Sequence, residues 1–290
     1  MSKQIRSFET KLENLRKTVS EREKNSVVQL PLWPESKRGA PNSFIRSALF
    51  AAIQGKDRQF MKEAVLASQN GIVVKFTGEQ LNQTDLDVWE AIIHLARNQP
   101  LGTFCNFSAH SLLKAMGLST GNSQHKQLHS TLIRLTACAI EVIHNGKNYF
   151  GPLIKSGAKD DVKRHYGIEL NKGIIQLFGE NQWTALDWQQ RQLLRERPLA
   201  QALHAFYSSH RNPFPMKLDT LRSYTGSRNK QPASFKRQVK TALDELIAVD
   251  FLSSYKFEND LVRVERNFLQ AKRENSHPNP EICAVSKGVI

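Results

Sequence analysis

Apolar residues at Ile5, Phe8, Leu12, Leu15 and Val19 recur three or four apart with charges between them, which predicts one amphipathic helix over residues 4–24. The stripe is shorter than a coiled coil needs. It is read as packing on its own domain, with a partner or dimer helix as the sharper alternative. Pro31, Pro34, Gly39 and Pro41 break the periodicity and predict an extended linker over 29–47. From residue 84 the helical period returns. Thr84 and Asp87 resemble a capping box ahead of Leu86, Trp89, Ile92, Ile93 and Ala96, and Pro100 and Gly102 close that helix. Ser108 caps a second helix, with Leu112, Leu113 and Met116 inward and Gly117 as its stop. A third runs from about 123 to 136 with Leu128, Leu132 and Leu135 inward.

Two β-prone runs, 138–144 and 147–154, flank Asn145-Gly146, which is the sequence of a type I′ hairpin turn. Helix, helix, turn, helix, hairpin is the order of a winged helix-turn-helix. The second half repeats it. Helices are predicted over 199–208 behind Pro198, over 218–224, and from a Ser234 cap with Phe235, Val239, Ala242, Leu243 and Leu246 inward. Strands over 251–257 and 261–266 follow. Segment 155–187 reads less regularly, with a strand near 164–170 and a short helix near 174–178. The predicted fold is α+β and mainly helical, with tandem winged helix-turn-helix domains carrying small antiparallel wings. The expected divisions are 1–35 as helix and arm, 36–83 as linker and lead-in, 84–187 and 188–270 as the two domains, and 271–290 as a disordered tail.

Composition narrows the function. Of 290 residues, 41 are Lys or Arg and 27 are Asp or Glu, a formal net charge of +14. A strongly basic balance is the electrostatic footprint of a nucleic-acid binder and also suits anionic membranes. No apolar run approaches the length of a spanning helix, the start is not a signal peptide, and three cysteines without a Cys-x-x-Cys argue against a disulfide framework. These features predict a soluble protein of a reducing compartment, the cytoplasm. Arg228, Lys230, Lys236, Arg237 and Lys240 span the turn and first half of the last helix with no acidic residue between them. Inward Phe235 and Val239 leave Lys236, Arg237, Lys240 and Thr241 where a recognition helix meets the major groove. The matching stretch of the first domain carries Gln124, His125, Lys126, Gln127, Ser130 and Arg134, and amides and Arg pair bidentately with base edges. Lys147 and Asn148 at the first wing, and Lys256, Arg263 and Arg266 at the second, are candidates for flanking phosphates.

The peptide from Phe206 to Leu218 (FYSSHRNPFPMKL), together with Trp33-Pro34, Pro41-Asn42 and Arg46-Ser47-Ala48-Leu49-Phe50, resembles the TrfA-type plasmid replication initiators. The resemblance implies binding to repeated duplex sites (iterons) in a plasmid origin and help in opening an AT-rich segment, whose single strand it would contact. It also implies recruitment of host proteins, including the initiator and the replicative helicase. Active monomers and copy-restraining dimers are implied as well. Within the Phe206–Leu218 peptide, Pro213 and Pro215 read as a rigid connector from which Arg211 reaches a phosphate. Gln29-Leu30-Pro31-Leu32-Trp33 looks like a peptide for the host sliding clamp, with Leu30, Leu32 and Trp33 entering an apolar pocket and Gln29 fixing register. Its alternative is a plain linker.

Enzymatic signatures are missing. The chain has no His-x-His pair, no Walker A loop and no Ser-His-Asp spacing, and His125 with His129 lacks a third ligand. No cofactor, metal or catalytic residue is expected. A winged-helix transcriptional repressor is the runner-up, and a DNA-nicking enzyme is the reading from the enzyme class.

Overall fold

The computed structural model describes residues 28–54 and 57–267. The helix expected over 4–24 and the tail from 271 lie outside the described residues. From a lead-in that buries Leu30 and Trp33 the chain runs through β1 (Lys37–Pro41), the single turn α1 (Asn42–Ile45), β2 (Phe50–Ala51), β3 (Phe60–Leu66), β4 (Ile72–Glu79) and β5 (Leu81–Asn82). The long helix α2 (Gln83–Ala96) comes next, then β6 (Phe104–Ser108), α3 (Ala109–Ala115) and α4 (Asn122–Ala137). Two hairpins follow, β7 (Ala139–His144) with β8 (Lys147–Gly151) and β9 (Ser156–Asp160) with β10 (His165–Glu169). A 3-10 helix (Lys172–Phe178) and β11 (Trp183–Asp187) complete the first half. Helix α5 (Trp188–Leu193) connects it to α6 (Pro198–Ser208), β12 (Met216–Lys217), α7 (Leu218–Tyr224), α8 (Pro232–Ala248), β13 (Leu252–Glu258) and β14 (Leu261–Arg266).

The two halves share one topology. Each has a helix, a short strand, two helices and a hairpin. The short strand pairs with the second strand of that hairpin, in the orders β6-β10-β9 and β12-β14-β13. This equivalence corrects the first wing. The Asn145-Gly146 turn is present, with both residues at positive φ, but β7 continues a different sheet, β3-β4-β7-β8. Its inward Ile140 and Val142 stand opposite inward Phe76 and Val74 of β4, so burial holds the hairpin there. The hairpin that matches β13–β14 is β9–β10, from the segment that reads least regularly in the sequence.

The linker expected over 36–83 is also corrected. It supplies five strands, and its residues enter the larger of two apolar cores, which extends from Leu30 to Trp188 and takes Ala205 from α6. β1 is antiparallel to β11, 142 or more residues later, and so closes the first half on itself. The proline and glycine spacing that reads as a linker serves packing instead. A Cβ on Gly39 would come within 2.6 Å of the Trp33 ring, so only glycine lets that indole lie on the strand. The smaller core runs from Leu194 to Val264. Strands therefore contribute more than the mainly helical expectation allowed.

Helix starts follow local chemistry. Asn82, not Thr84, caps α2: its Oδ1 accepts from the Asp85 amide at 3.3 Å, and Asp85 Oδ2 accepts from the Asn82 amide at 2.9 Å. Asp87 is thereby free to point inward. Pro232 occupies the first turn of α8, where a missing N–H costs nothing, while Ser234 instead accepts from Asn229 Nδ2 at 3.0 Å.

Candidate nucleic-acid interface

Helix α4 buries Leu128, Thr131, Leu132 and Leu135, which turns Lys126, Gln127 and Ser130 to solvent and leaves Gln124 half-buried. Arg134 is corrected as a base reader. Its side chain is 11% exposed, and its Nε faces Glu79 at 3.6 Å and Asp85 at 3.7 Å, so it neutralises carboxylates of its own domain. His125 and His129 do not pair. His129 Nδ1 instead meets the Tyr166 hydroxyl of β10 at 3.2 Å, which fastens the β9–β10 hairpin to α4. Among the described residues there is no group of three or more His, Cys, Asp or Glu that could hold a metal ion.

Helix α8 buries the five predicted apolar residues and exposes Lys236, Arg237, Lys240 and Thr241. Lys236 Nζ lies 3.3 Å from the Asn259 carbonyl and 5.2 Å from the centre of the Phe257 ring, joining α8 to the β13–β14 hairpin. Lys230 is exposed. Arg228 is corrected as a free phosphate ligand. Its guanidinium donates to the Asp57 carbonyl and to Gln80 Oε1, so it ties the second domain to the first.

The exposed edges of the two helices open on adjoining clefts. Gln124, Gln127 and Arg134 line one of about 620 Å³ with Arg58 and Arg195. Arg197, Arg228, Arg237 and Thr241 line the other, of about 880 Å³. Ile53, Gln54, Glu196 and Pro198 belong to both, so a single furrow links α4 to α8.

Each hairpin then flanks its helix. Arg263 and Lys256 are exposed on the second. Arg266 is not: its Nη1 donates to the Ser208 and His210 carbonyls at 3.3 and 3.2 Å. On the first, Lys159, Lys163 and Arg164 surround Val162, which is 94% exposed at the tip. Sequence reasoning missed these three. The available signal was the strand-like run 164–170 after the turn Asp160-Asp161-Val162-Lys163, where Asp160 Oδ1 accepts from the Val162 and Lys163 amides; the strand before it, Ser156–Asp160, carries no β-branched or aromatic residue. Lys147 and Asn148 are exposed but stand on the other sheet.

Two of the peptides behind the family resemblance, 46–50 and 206–218, meet at the joint between domains. Arg46 Nε donates to Ser209 Oγ at 2.9 Å and its Nη2 to the Ser209 carbonyl, at the C-terminal end of α6 where cations are favoured. Arg211 is exposed beyond this joint, as is Phe214. The Gln29–Trp33 peptide is built into the fold. Leu30 is 3% and Trp33 5% exposed, whereas Gln29 and Leu32, the latter at 68%, face water. Trp33 Nε1 donates to His94 Nδ1 at 3.0 Å, its ring stacks on Phe178, and Gln29 Nε2 donates to the Arg97 carbonyl at 3.1 Å. Two of the three side chains that a clamp pocket would take are therefore already buried.

This α+β fold is shared by two solved structures. A SeMet derivative of domains 2 and 3 of RctB matches with TM-score 0.54 and 11% identity, covering 79% of this chain and 99% of that one. The Pi initiator protein in complex with iteron DNA matches with TM-score 0.53 and 13% identity, covering 81% and 99%. The chain belongs to the TrfA protein family, whose model matches residues 4–266. It is 26% identical over 249 residues to the plasmid replication initiator protein TrfA of Escherichia coli, an alignment that covers 83% of this chain and spans 65% of that relative's length. No helix among the described residues is long and apolar enough to cross a membrane.

Proposed function

We propose that this protein is a sequence-specific, non-enzymatic DNA-binding initiator of plasmid replication, built on two winged helix-turn-helix modules. The carrying observation is the repeated topology that presents α4 and α8 along one furrow. In each module the third helix enters the major groove. Lys126, Gln127 and Ser130 act from the first, and Arg237, Lys240 and Thr241 from the second, with Gln124 at the edge. Lys236 buttresses the second wing and adds charge. Arg263 and Lys230, and Lys159, Lys163 and Arg164 on the first wing, neutralise phosphates beside the groove. Arg211 reaches the backbone from the connector. Family membership and the name of the E. coli relative support a role in initiating plasmid replication, and the iteron DNA held by the similarly folded Pi initiator supports duplex repeats as ligand.

Opening of an AT-rich tract, contact with its single strand, recruitment of the host initiator and replicative helicase, and a monomer–dimer balance that controls copy number belong to the same proposal. Clamp recruitment through Gln29, Leu30, Leu32 and Trp33 would require this peptide to leave the core. Its test is a pull-down of the host clamp by the full chain, with Trp33→Ala as control.

The decisive experiment is selection of bound duplexes from fragments of the replicon that encodes the chain, at about physiological salt so that non-specific binding is suppressed. A cluster of direct repeats beside an AT-rich tract is the expected result. One inverted site over a promoter would make it a repressor, and no enrichment would overturn DNA recognition. A specific nick in supercoiled plasmid with Mg²⁺ or Mn²⁺ would overturn the non-enzymatic reading.

A further inference from the structure

Arg191 has no part in the surface described above. It lies in the connector α5 with a fully buried side chain. Its Nε pairs with Asp87 Oδ1 at 2.5 Å and lies 3.3 Å from Glu90 Oε2. Nη2 donates to Gln83 Oε1 at 3.0 Å, and Nη1 donates to the Gln201 carbonyl at 3.3 Å. Gln201 Nε2 in turn donates to Asp87 Oδ2 at 3.0 Å. Gln83, Asp87 and Glu90 belong to α2, the first helix of the first module. Gln201 belongs to α6, the first helix of the second. One guanidinium therefore binds both modules.

We infer that Arg191 is the positioning residue that fixes the distance and rotational phase between the two recognition helices, and thereby sets the spacing between the two half-sites that the protein accepts. The inference rests on the DNA-binding reading above for its second half alone. Its physical basis is directional. Apolar surfaces slide over one another at little cost. A planar fork with its donors committed to two helices holds only at one angle and one separation. The Arg191 side chain is fully buried, so these bonds are made in the free protein as well as the bound one. Inserting one base pair between half-sites displaces the second by about 3.4 Å and rotates it by roughly 35°. A fixed pair of helices cannot follow that change, and a loosened pair can.

The test compares the full chain with Asp87→Asn/Glu90→Gln/Arg191→Met, which removes both carboxylates and the guanidinium together and leaves Glu35 as the carboxylate that offsets buried Arg38. Gln201→Leu, which removes one bond and keeps the ion pair, guards against a triple variant that fails to fold. Nitroxide labels at Ile133→Cys on α4 and Ala248→Cys on α8, with Cys283→Ser, report the helix separation without DNA. The remaining cysteines, Cys105 and Cys138, are buried. A narrow distribution that broadens in the triple variant, and to a lesser degree in Gln201→Leu, is expected. On DNA, unlabelled native protein should discriminate against a one-base-pair insertion by on the order of tenfold, comparable to one wrong base pair. The triple variant should discriminate by less than about threefold. Equal distribution widths in native protein and every folded variant would overturn the inference, as would an unchanged spacing preference. Failure of the native chain to bind any paired site would instead overturn the DNA reading, with the distance measurement still deciding the role of Arg191.

Discussion

Arg134, in the last turn of α4, and Arg237, in the second turn of α8, do opposite work. Arg237 stands in water beside the furrow, whereas Arg134 turns back onto Glu79 and Asp85. Replacing Arg237 and Lys240 with Ala is expected to lower the slope of log affinity against log salt by about two, one for each phosphate no longer neutralised. Arg134→Ala should leave the slope unchanged and lower stability by about 1–3 kcal/mol, because buried Asp85 loses a counter-charge. Salt titrations and thermal melts of the two variants separate these effects. Glu90 makes a second residue-level prediction. Burial without a hydrogen-bond donor to either oxygen pushes its carboxyl up to about 8, against the pull of Arg191. A carboxyl raised in the fold lends stability that is complete below its unfolded value and is lost as pH rises toward the folded one. The stability of Glu90→Gln relative to native should therefore climb between about pH 4.5 and 8. A gain of roughly 2 °C or more in relative Tm is expected across that window, and a flat difference would remove Glu90 from the pH response.

At the scale of elements, local chemistry and burial disagreed about the first wing. Asn145-Gly146 makes the better turn, yet the strands on either side carry inward Ile140 and Val142, which the β3–β4 hairpin covers. The β9–β10 hairpin is left beside α4, fastened by Tyr166 and His129. Lys159→Ala/Lys163→Ala/Arg164→Ala should weaken DNA binding and reduce the salt slope by up to about three, while Lys147→Ala should change neither. An equal loss from both would mean that the hairpin topology does not mark the wing. The buried arm makes the matching prediction for stability. Trp33→Ala removes an indole stacked on Phe178 and one of the two donors to His94 Nδ1, and should cost about 3–5 kcal/mol, read as a lowered denaturant midpoint.

At the scale of the molecule, the two modules act as one body because polar and steric contacts agree at their seam. Arg46 reaches Ser209, Arg228 reaches Asp57 and Gln80, and the Ala52 amide donates to the Thr225 carbonyl at 2.7 Å. Gly226 follows that carbonyl at φ +61°, and a Cβ there would come within 2.8 Å of the Ala51 Cβ. Gly226→Ala thus meets both an unfavourable dihedral and a wall. It should destabilise the fold by about 1 kcal/mol or more and lower Tm by roughly 2–4 °C. Unchanged Tm would mean that the seam yields at this point.

The sequence by itself determined what depends on neighbours along the chain. The inward faces of α4 and α8, the Ser108 cap, the Asn145-Gly146 turn and the basic outer face of α8 all follow from spacings of one to four residues, where backbone geometry alone links cause and effect. The long peptides shared with the TrfA family were equally legible, because identity needs no fold to be recognised. Tertiary structure decided everything that rests on partners far away in sequence. Trp33 is core because Gly39 leaves room for it and Phe178 and His94 receive it. Arg134 and Arg228 are structural because Glu79, Asp85, Asp57 and Gln80 are brought to them. Arg191 gave no signal at all, since a lone arginine in a polar stretch acquires meaning only when α2 and α6 close around it. A side chain's type sets which bonds it is able to make, and the long-range packing sets which of them it makes.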